Sequence, residues 1–508
     1  MGKKYFTLSF DDGITQDLKI IDICKKYNFY ACSFNINTGL CGANWDWVGK
    51  RYNRPDVSHI RFTEKEIKSG IYDGFDVEGH TRNHTTVKKY DDDIDTLISE
   101  IEGNAEDIFE LTGKKPKGMA WASSNYSYTQ TTAEKICKHT SIRFSRGASS
   151  TYNFRLPETF MNWQPTCSII DKNLFYFADK FINAKSDEDM IFYVWGHGYE
   201  LDVFNLYDDL EKLIKMMSEN DDIICISNAD FYELYKDKIP SVNKNKLSVF
   251  YSHIKQAAEE RNCTLEEIGK AIFENGIEYI DVEIESLDRV VELCKNTGLK
   301  INCVYGFFDF LYSTDTDRAF KMIDRAKEYV TKVLVVPGYL NDEEAKNLKA
   351  CKTGEEIFNF LDNSETAKNM CRVFTEVCEY GMKNGVFVTI EDFDSCKSPI
   401  ERVDELLWLF EKVPLLRFNL DTGNILPSDG KAEDMPEKFL GLINNVHVKD
   451  KKEGKSQIIG QGAVNVPAVV KQLRNFNYTD ALVIEHFKVE DQLSAMIASA
   501  KYIKRCLR

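Results

Sequence analysis

The chain has no apolar run of about eighteen residues, which excludes a membrane-spanning helix. Its first residues, Met1-Gly2-Lys3-Lys4-Tyr5-Phe6, lack the apolar core of a secretion signal and run straight into a strand-like segment. None of its fourteen cysteines stands at C-x-x-C spacing. Without an export signal they are expected as reduced, buried thiols rather than as a disulfide framework. Positive charge is also short: 65 Lys and Arg against 81 Asp and Glu leave a net charge of −16. That balance argues against a nucleic-acid partner, which wants clustered Lys and Arg. Low-complexity segments are missing too. These absences point to a cytoplasmic globular protein with no membrane and no nucleic acid among its partners; they leave an oligomer open.

What is present fits two domains. At 508 residues the chain exceeds one ordinary core, and 43% hydrophobic with 29% charged residues is a globular composition. The first half alternates strand and helix. Tyr5 to Phe10 and Tyr30 to Ile36 read as strands, as does Asp189 to Trp195. Gln16 to Tyr27, Ile94 to Leu111 and the Leu206–Met217 segment carry helical periodicity. Such alternation indicates a parallel α/β domain. The polar, basic stretch KDKIPSVNKNK holds a proline and reads as a linker. The expected division is a domain over 1–238, a linker over 239–246 and a second domain over 247–508. After the linker, strand-like segments fall near Leu247, Ile277, Leu299, Lys332, Val386, Leu415, Leu442 and Ala481. Between them lie helical stretches, one with Met370, Val373, Phe374 and Val377 on one face and another with Leu493, Met496, Ile497 and Ala500. Eight β/α units in roughly 260 residues match a TIM barrel.

Two groups of residues carry chemistry. Ser9-Phe10-Asp11-Asp12-Gly13 follows an apolar strand, and His80-Thr81-Arg82-Asn83-His84 comes later. A hydrolytic metal needs about three protein ligands, an open position and a base that is not a ligand. Asp12, His80 and His84 can supply the ligands and Asp11 the base. Four residues apart, the two histidines would share one face of a helical turn. Zn²⁺ suits such a set, as do Co²⁺, Ni²⁺ and Fe²⁺. His197, in Trp195-Gly196-His197, follows a strand and can act as an acid near neutral pH. Either short motif alone is more often a turn or a solvated helix face. Three of only eight histidines in this one arrangement make that bland reading a poor one.

SFDDG, HTRNH and YVWGHGYELD, with the strand YACSFNINTG, resemble the NodB-type polysaccharide deacetylases, carbohydrate esterase family 4. The resemblance spans roughly residues 3 to 235. It implies a distorted (β/α) barrel of about seven strands and removal of an acetyl group from a sugar amide or ester. It makes Asp11 the base, Asp12, His80 and His84 the metal ligands, and His197 the acid. One departure stands out. The family's third motif carries an arginine that orients the base, and the matching stretch here, Met119 to Tyr126, has none. Arg146 is the candidate replacement and a candidate substrate contact; an ordinary surface arginine is the competing reading.

In the second half, Glu391 (VFVTIED), Asp421 (LRFNLDTGN), His447 (NNVHVKD) and Glu485 (LVIEH) each end an apolar strand. Strand ends of a TIM barrel meet at one mouth. Three carboxylates and an imidazole suit Mn²⁺, Mg²⁺ or Co²⁺, with Zn²⁺ also compatible. DTGN, HVKD and the glycines of Ile458-Ile459-Gly460-Gln461-Gly462 resemble the xylose isomerase-like sugar phosphate isomerase/epimerase barrels, over roughly 247 to 508. That resemblance implies that the four residues bind metal and that Glu391 and Glu485 also act as opposed acid and base. Lys449 and Asp450 are candidate support or substrate contacts. Asn424 stands where many relatives carry a histidine, which argues against the multi-metal endonuclease branch.

The expectation is therefore an α/β protein in which a distorted barrel precedes a (β/α)8 TIM barrel. It would be a bifunctional metal-dependent deacetylase and sugar isomerase/epimerase acting on small soluble saccharides or sugar conjugates. The alternative keeps only the C-terminal barrel catalytic, with the N-terminal one a degenerate carbohydrate-binding domain.

Overall fold

A computed structural model describes residues 2–123, 126–242, 245–425 and 430–507. The chain divides into two compact units, Met1–Asn243 and Lys244–Arg508. Among the described residues no helix is long and apolar enough to cross a membrane.

The strands of the first unit are β1 (Lys4–Asp11), β2 (Cys32–Ile36), β3 (Asp76–Gly79), β4 (Gly118–Ala120), β5 (Phe144–Arg146), β6 (Cys167–Ser168), β7 (Met190–His197) and β8 (Ile223–Cys225). Seven of them form one path in the order β5-β4-β3-β2-β1-β7-β6, and β8 pairs with β1. All these pairings are parallel, so the sheet is a curled, open half-barrel. β1 is buried along its whole length. Its edge is shared: β8 pairs with Lys4–Phe6, and β2 takes over from Leu8 to Asp11. The helix Ile94–Thr112 shows why such segments fold as they do. Leu97, Ile101, Ala105 and Ile108 make its buried stripe, Asp93 caps its start, and Gly113 ends it with φ 76°.

The second unit holds β9 (Leu247–Phe250), β10 (Tyr279–Glu283), β11 (Lys300–Phe307), β12 (Lys332–Val336), β13 (Phe387–Glu391), β14 (Arg417–Asp421), β15 (Ile443–Lys452), β16 (Lys455–Gln457) and β17 (Leu482–Glu485). Eight parallel strands close on themselves, since β14 pairs with β15, β15 with β17 and β17 with β9. Among the described residues only β16 stands outside the ring, antiparallel to β15. Each of the eight begins within two residues of the segment expected from the apolar runs. Strands buried on both faces read as continuous apolar stretches, and β12, KVLVV, is buried throughout. Met370, Val373, Phe374 and Val377 line the buried face of the helix Glu365–Lys383. Leu493, Met496 and Ala500 do the same in Gln492–Cys506, with Ile497 partly buried beside them.

Parallel strands put all their C-terminal ends on one side. Asp11, Arg146 and His197 are the last residues of β1, β5 and β7, and Glu391, Asp421 and Glu485 are the last residues of β13, β14 and β17. Both sets of candidate residues therefore stand at a barrel mouth.

Candidate active sites

In the first unit the sheet register places Asp11 opposite His197 on one side and Asn35 on the other. Asp12 follows with φ 82° and Gly13 with φ 63°, a sharp exit that turns the second carboxylate away from the strand. A Cβ on Gly13 would come 2.8 Å from Ile36.

His80 and His84 do not lie on a helical turn. The HTRNH segment follows β3 as an irregular turn in which Thr81 and His84 take φ of 56° and 52°. Buried side chains impose this shape. Asn37 Nδ2 donates to the carbonyls of His80 and Thr81, and Thr81 Oγ1 accepts from Thr85 N at 2.8 Å. The histidines converge all the same, with ring centroids 5.0 Å apart. His80 Nδ1 lies 3.0 Å from the carbonyl oxygen of Ala120. A carbonyl only accepts, so Nδ1 carries the proton and Nε2 keeps its lone pair for the site.

Nε2 of His80 and of His84 lie 3.8 and 3.5 Å from Asp12 Oδ1. One donor atom each from Asp12, His80 and His84 falls within a 4.8 Å span. Their charge states suit a metal. Burial, helped by His80, pushes His84 down to about 4. Burial also lowers His80, although Asp11 and Asp12 oppose it. Asp12 is held well below the usual carboxylate range, because its bond to His59 and nearby imidazoles outweigh its burial. Two neutral imidazoles and one carboxylate are a ligand-ready set.

Arg146 answers the missing arginine of the third motif, of which Ser124 and Asn125 lie outside the described residues. Its Nη2 donates to Asp11 Oδ2, and its guanidinium sits 4.2 Å from the centroid of the Trp195 ring. Asn35 Nδ2 donates to the other oxygen of Asp11 at 2.9 Å. Arg146, His80 and His197 outweigh burial and lower the Asp11 carboxyl, leaving it ionised. His197 is half-buried, and desolvation alone would lower it. Glu200 raises it to about 9, with Asp12 and Asp11 adding to the effect. The Nδ1–Oε2 separation is 3.3 Å, and Glu200 Oε2 also accepts His197 N at 2.8 Å.

Four residues here escaped sequence reading. His59 Nε2 lies 2.9 Å from Asp12 Oδ2, and Arg61 Nη2 donates to Asp12 Oδ1 at 3.2 Å. Both are buried, and Trp45 stacks on the imidazole and faces the guanidinium. Asn35 and Glu200 are the others. The available signals were weak: H-x-R alternation in an extended segment, and a glutamate three residues after His197.

In the second unit, Glu391, Asp421, His447 and Glu485 offer donor atoms within a 4.8 Å span, and all four are buried. Nδ1 of His447 lies 2.6 Å from Glu391 Oε1 and 3.2 Å from Glu485 Oε2. Asn419 Nδ2 donates to Glu391 Oε1 at 3.0 Å. Asp421 Oδ1 accepts from Gly423 N at 2.8 Å and from Asn424 N at 3.0 Å, which leaves Oδ2 facing the cluster. Three carboxylates and an imidazole with one oxygen so presented fit a hard divalent ion. Lys449, two residues from His447 on the same strand face, reaches Glu485 Oε1 at 2.6 Å and Asp421 Oδ2 at 3.1 Å. Burial opposes the lysine's charge, but Asp421, Glu485 and Glu391 raise its pKa. His447 is likewise raised well above the usual range, its burial outweighed by Glu391, Asp281 and Glu485. Burial and the charges of Glu485 and Glu391 raise Asp421 to about 7, against Lys449. Lys449 and His447 overcome burial and lower Glu485.

Asp450 points elsewhere. Its Oδ2 accepts from Gly460 N at 2.9 Å and Gly462 N at 2.8 Å, and its Oδ1 from Val464 N at 3.0 Å. It shapes the Ile458–Val464 loop. Asn424 Oδ1 accepts from both Lys449 and Lys451 at 3.1 Å, and its Nδ2 donates to the carbonyl of Asp392 at 2.9 Å.

Comparison with known proteins matches a different family in each unit. Residues 1–142 match the polysaccharide deacetylase family, and residues 263–506 match the family described as xylose isomerase-like TIM barrel. Solved structures similar to the chain include a xylose isomerase domain protein from Planctomyces limnophilus, 16% identical, covering 52% of this chain and 97% of that one, at TM-score 0.38. An L-ribulose 3-epimerase is 14% identical, over 52% of this chain and 95% of its own, at TM-score 0.40. An IOLI protein described with a bound zinc atom is 17% identical, over 52% and 98%, at TM-score 0.40. No curated protein matches the chain.

Proposed function

We propose that the chain is a bifunctional, metal-dependent carbohydrate enzyme. Its N-terminal unit would hydrolyse an acetyl amide or ester on a sugar, and its C-terminal unit would isomerise or epimerise a sugar. The observation that carries the first half is the separation of roles at β1. Asp12 Oδ1 lies within 3.8 Å of both imidazoles, while Asp11, 3.9 Å from His80 Nε2, is bound at its two oxygens by Arg146 and Asn35. A divalent ion in each unit would supply Lewis acidity toward an acyl or carbonyl oxygen and an attacking water. Asp11, ionised and fixed at both oxygens, takes the proton of the attacking water. His197, kept protonated by Glu200, gives a proton to the departing nitrogen or oxygen. In the C-terminal unit Glu391 Oε1 and Glu485 Oε2 both approach Nδ1 of His447, at 2.6 and 3.2 Å. One removes a proton next to a carbonyl and the other returns one.

The pairing of Arg146 with Asp11 supports an active N-terminal unit over a degenerate binding domain, since it supplies the support that the third motif lacks. Small soluble saccharides or sugar conjugates are the proposed substrates. Fourteen free cysteines support a reducing compartment such as the cytoplasm. The test is acetate release from a panel of N- and O-acetylated sugars by metal-loaded protein, beside Asp11→Asn. Turnover that is equal in the two would refute the assignment.

A further inference from the structure

The C-terminal cluster already contains a cation of its own. The Lys449 ammonium has three N–H donors and three acceptors in reach: Glu485 Oε1 at 2.6 Å, Asp421 Oδ2 at 3.1 Å and Asn424 Oδ1 at 3.1 Å. Two of those oxygens are carried by residues of the set that can hold a metal ion. Asp421 has no other oxygen to offer, because backbone N–H groups occupy Oδ1. The lysine stem is held as well. A Cβ on Gly423 would come 2.9 Å from Lys449 Cγ, and Thr422 Oγ1 bonds both the N–H and the carbonyl of Lys449. Only the ammonium end can move, and its remaining acceptor is Asn424.

We propose that Lys449 is a resident counter-ion of the C-terminal site, and that a divalent ion binds by displacing its ammonium from Asp421 and Glu485 onto Asn424. Without metal, Lys449 keeps the buried carboxylates compensated and the site assembled. With metal, it is a positioning residue beside the ligands. Metal affinity is then set by an exchange of cations rather than by filling an empty cage. The inference rests on the metal reading of this site.

The test uses Mn²⁺ alone, titrated into the full chain carrying His80→Ala and His84→Ala to silence the N-terminal ligands, with free Mn²⁺ followed by electron paramagnetic resonance. In that background Lys449→Met is expected to tighten Mn²⁺ binding by about tenfold or more, because a competing charge has gone. Asn424→Leu, which removes the acceptor for the displaced ammonium, is expected to weaken it several-fold. Thermal unfolding gives the second readout. Metal-free Lys449→Met should melt lower than its parent and gain more from Mn²⁺. Mn²⁺ binding that is unchanged or weaker in Lys449→Met would overturn the exchange while leaving the metal site standing. No Mn²⁺ binding by either protein would overturn the metal reading of this site and the exchange together.

Discussion

In the N-terminal unit burial lowers the imidazoles of His80 and His84 beside Asp12, whereas in the C-terminal unit the carboxylates around His447 raise it. Burial and His80 lower His84 to about 4 against Asp12 and Asp11, while Glu391, Asp281 and Glu485 raise His447 against its burial. Basic side chains follow the same division. Arg146 grips Asp11, which is not in the candidate ligand set, so the proposed base is fixed without using a candidate ligand atom. Lys449 grips Asp421 and Glu485, which are in it. Similar donors at the C-terminal strand ends of the two units thus reach different states. Burial prevails at His80 and His84 although Asp12 and Asp11 oppose it, and the carboxylates prevail at His447.

That contrast can be broken by experiment. The largest effect is expected from Asp11→Asn, which removes the base but no ligand. Acetate release should fall about 10²–10⁴-fold with bound metal unchanged by elemental analysis. A parallel loss of metal would mean that Asp11 is a ligand after all. Next is Arg146→Met, which leaves Asp11 buried without its counter-charge. Stability should drop by about 3–5 kcal/mol in urea titrations, with deacetylation falling too.

A third test reads pH. His197, raised from 6.5 to about 9, stays protonated through neutrality. Its pairing with Glu200 adds stability that is fully present below about pH 6.5 and is lost as pH rises through about 9. The basic limb of kcat/KM should accordingly lie near pH 9, and Glu200→Gln should move it toward neutrality. An unmoved limb would separate Glu200 from the acid. The smallest effect is expected from His59→Asn, which loosens Asp12 Oδ2 without removing a ligand. Metal affinity in the N-terminal unit should weaken by about tenfold, measured by chelator competition.

Legibility in the sequence follows physical range. The eight barrel strands stood out because strands buried on both faces must be apolar along their length, as in β12 and β17. Glu391, Asp421 and Glu485 stood out because a charged residue ending such a run has few uses except at the mouth. The HTRNH histidines were paired correctly but through the wrong geometry, since their approach depends on Asn37 and Thr81 rather than on helical spacing. Asn35, His59 and Arg61 carry only weak local signatures, and Glu200 only its spacing from His197. The first three become informative when the β1–β2 register or the bridges Ile14–Arg61 and Asn44–Ile60 set them against Asp11 or Asp12.

The Asp11-Asp12-Gly13 motif, the paired histidines and the four strand-end residues of the second half are properties of the sequence. Hydrophobic periodicity orders the strands, and parallel strands gather their ends. Tertiary structure alone decided which basic side chain meets which carboxylate: Arg146 on Asp11 across 135 positions, His59 and Arg61 on Asp12, Lys449 on Asp421 and Glu485. Charge pairing in a buried site acts through space over a few ångströms. The chain distance between the partners says nothing about it until the fold has closed.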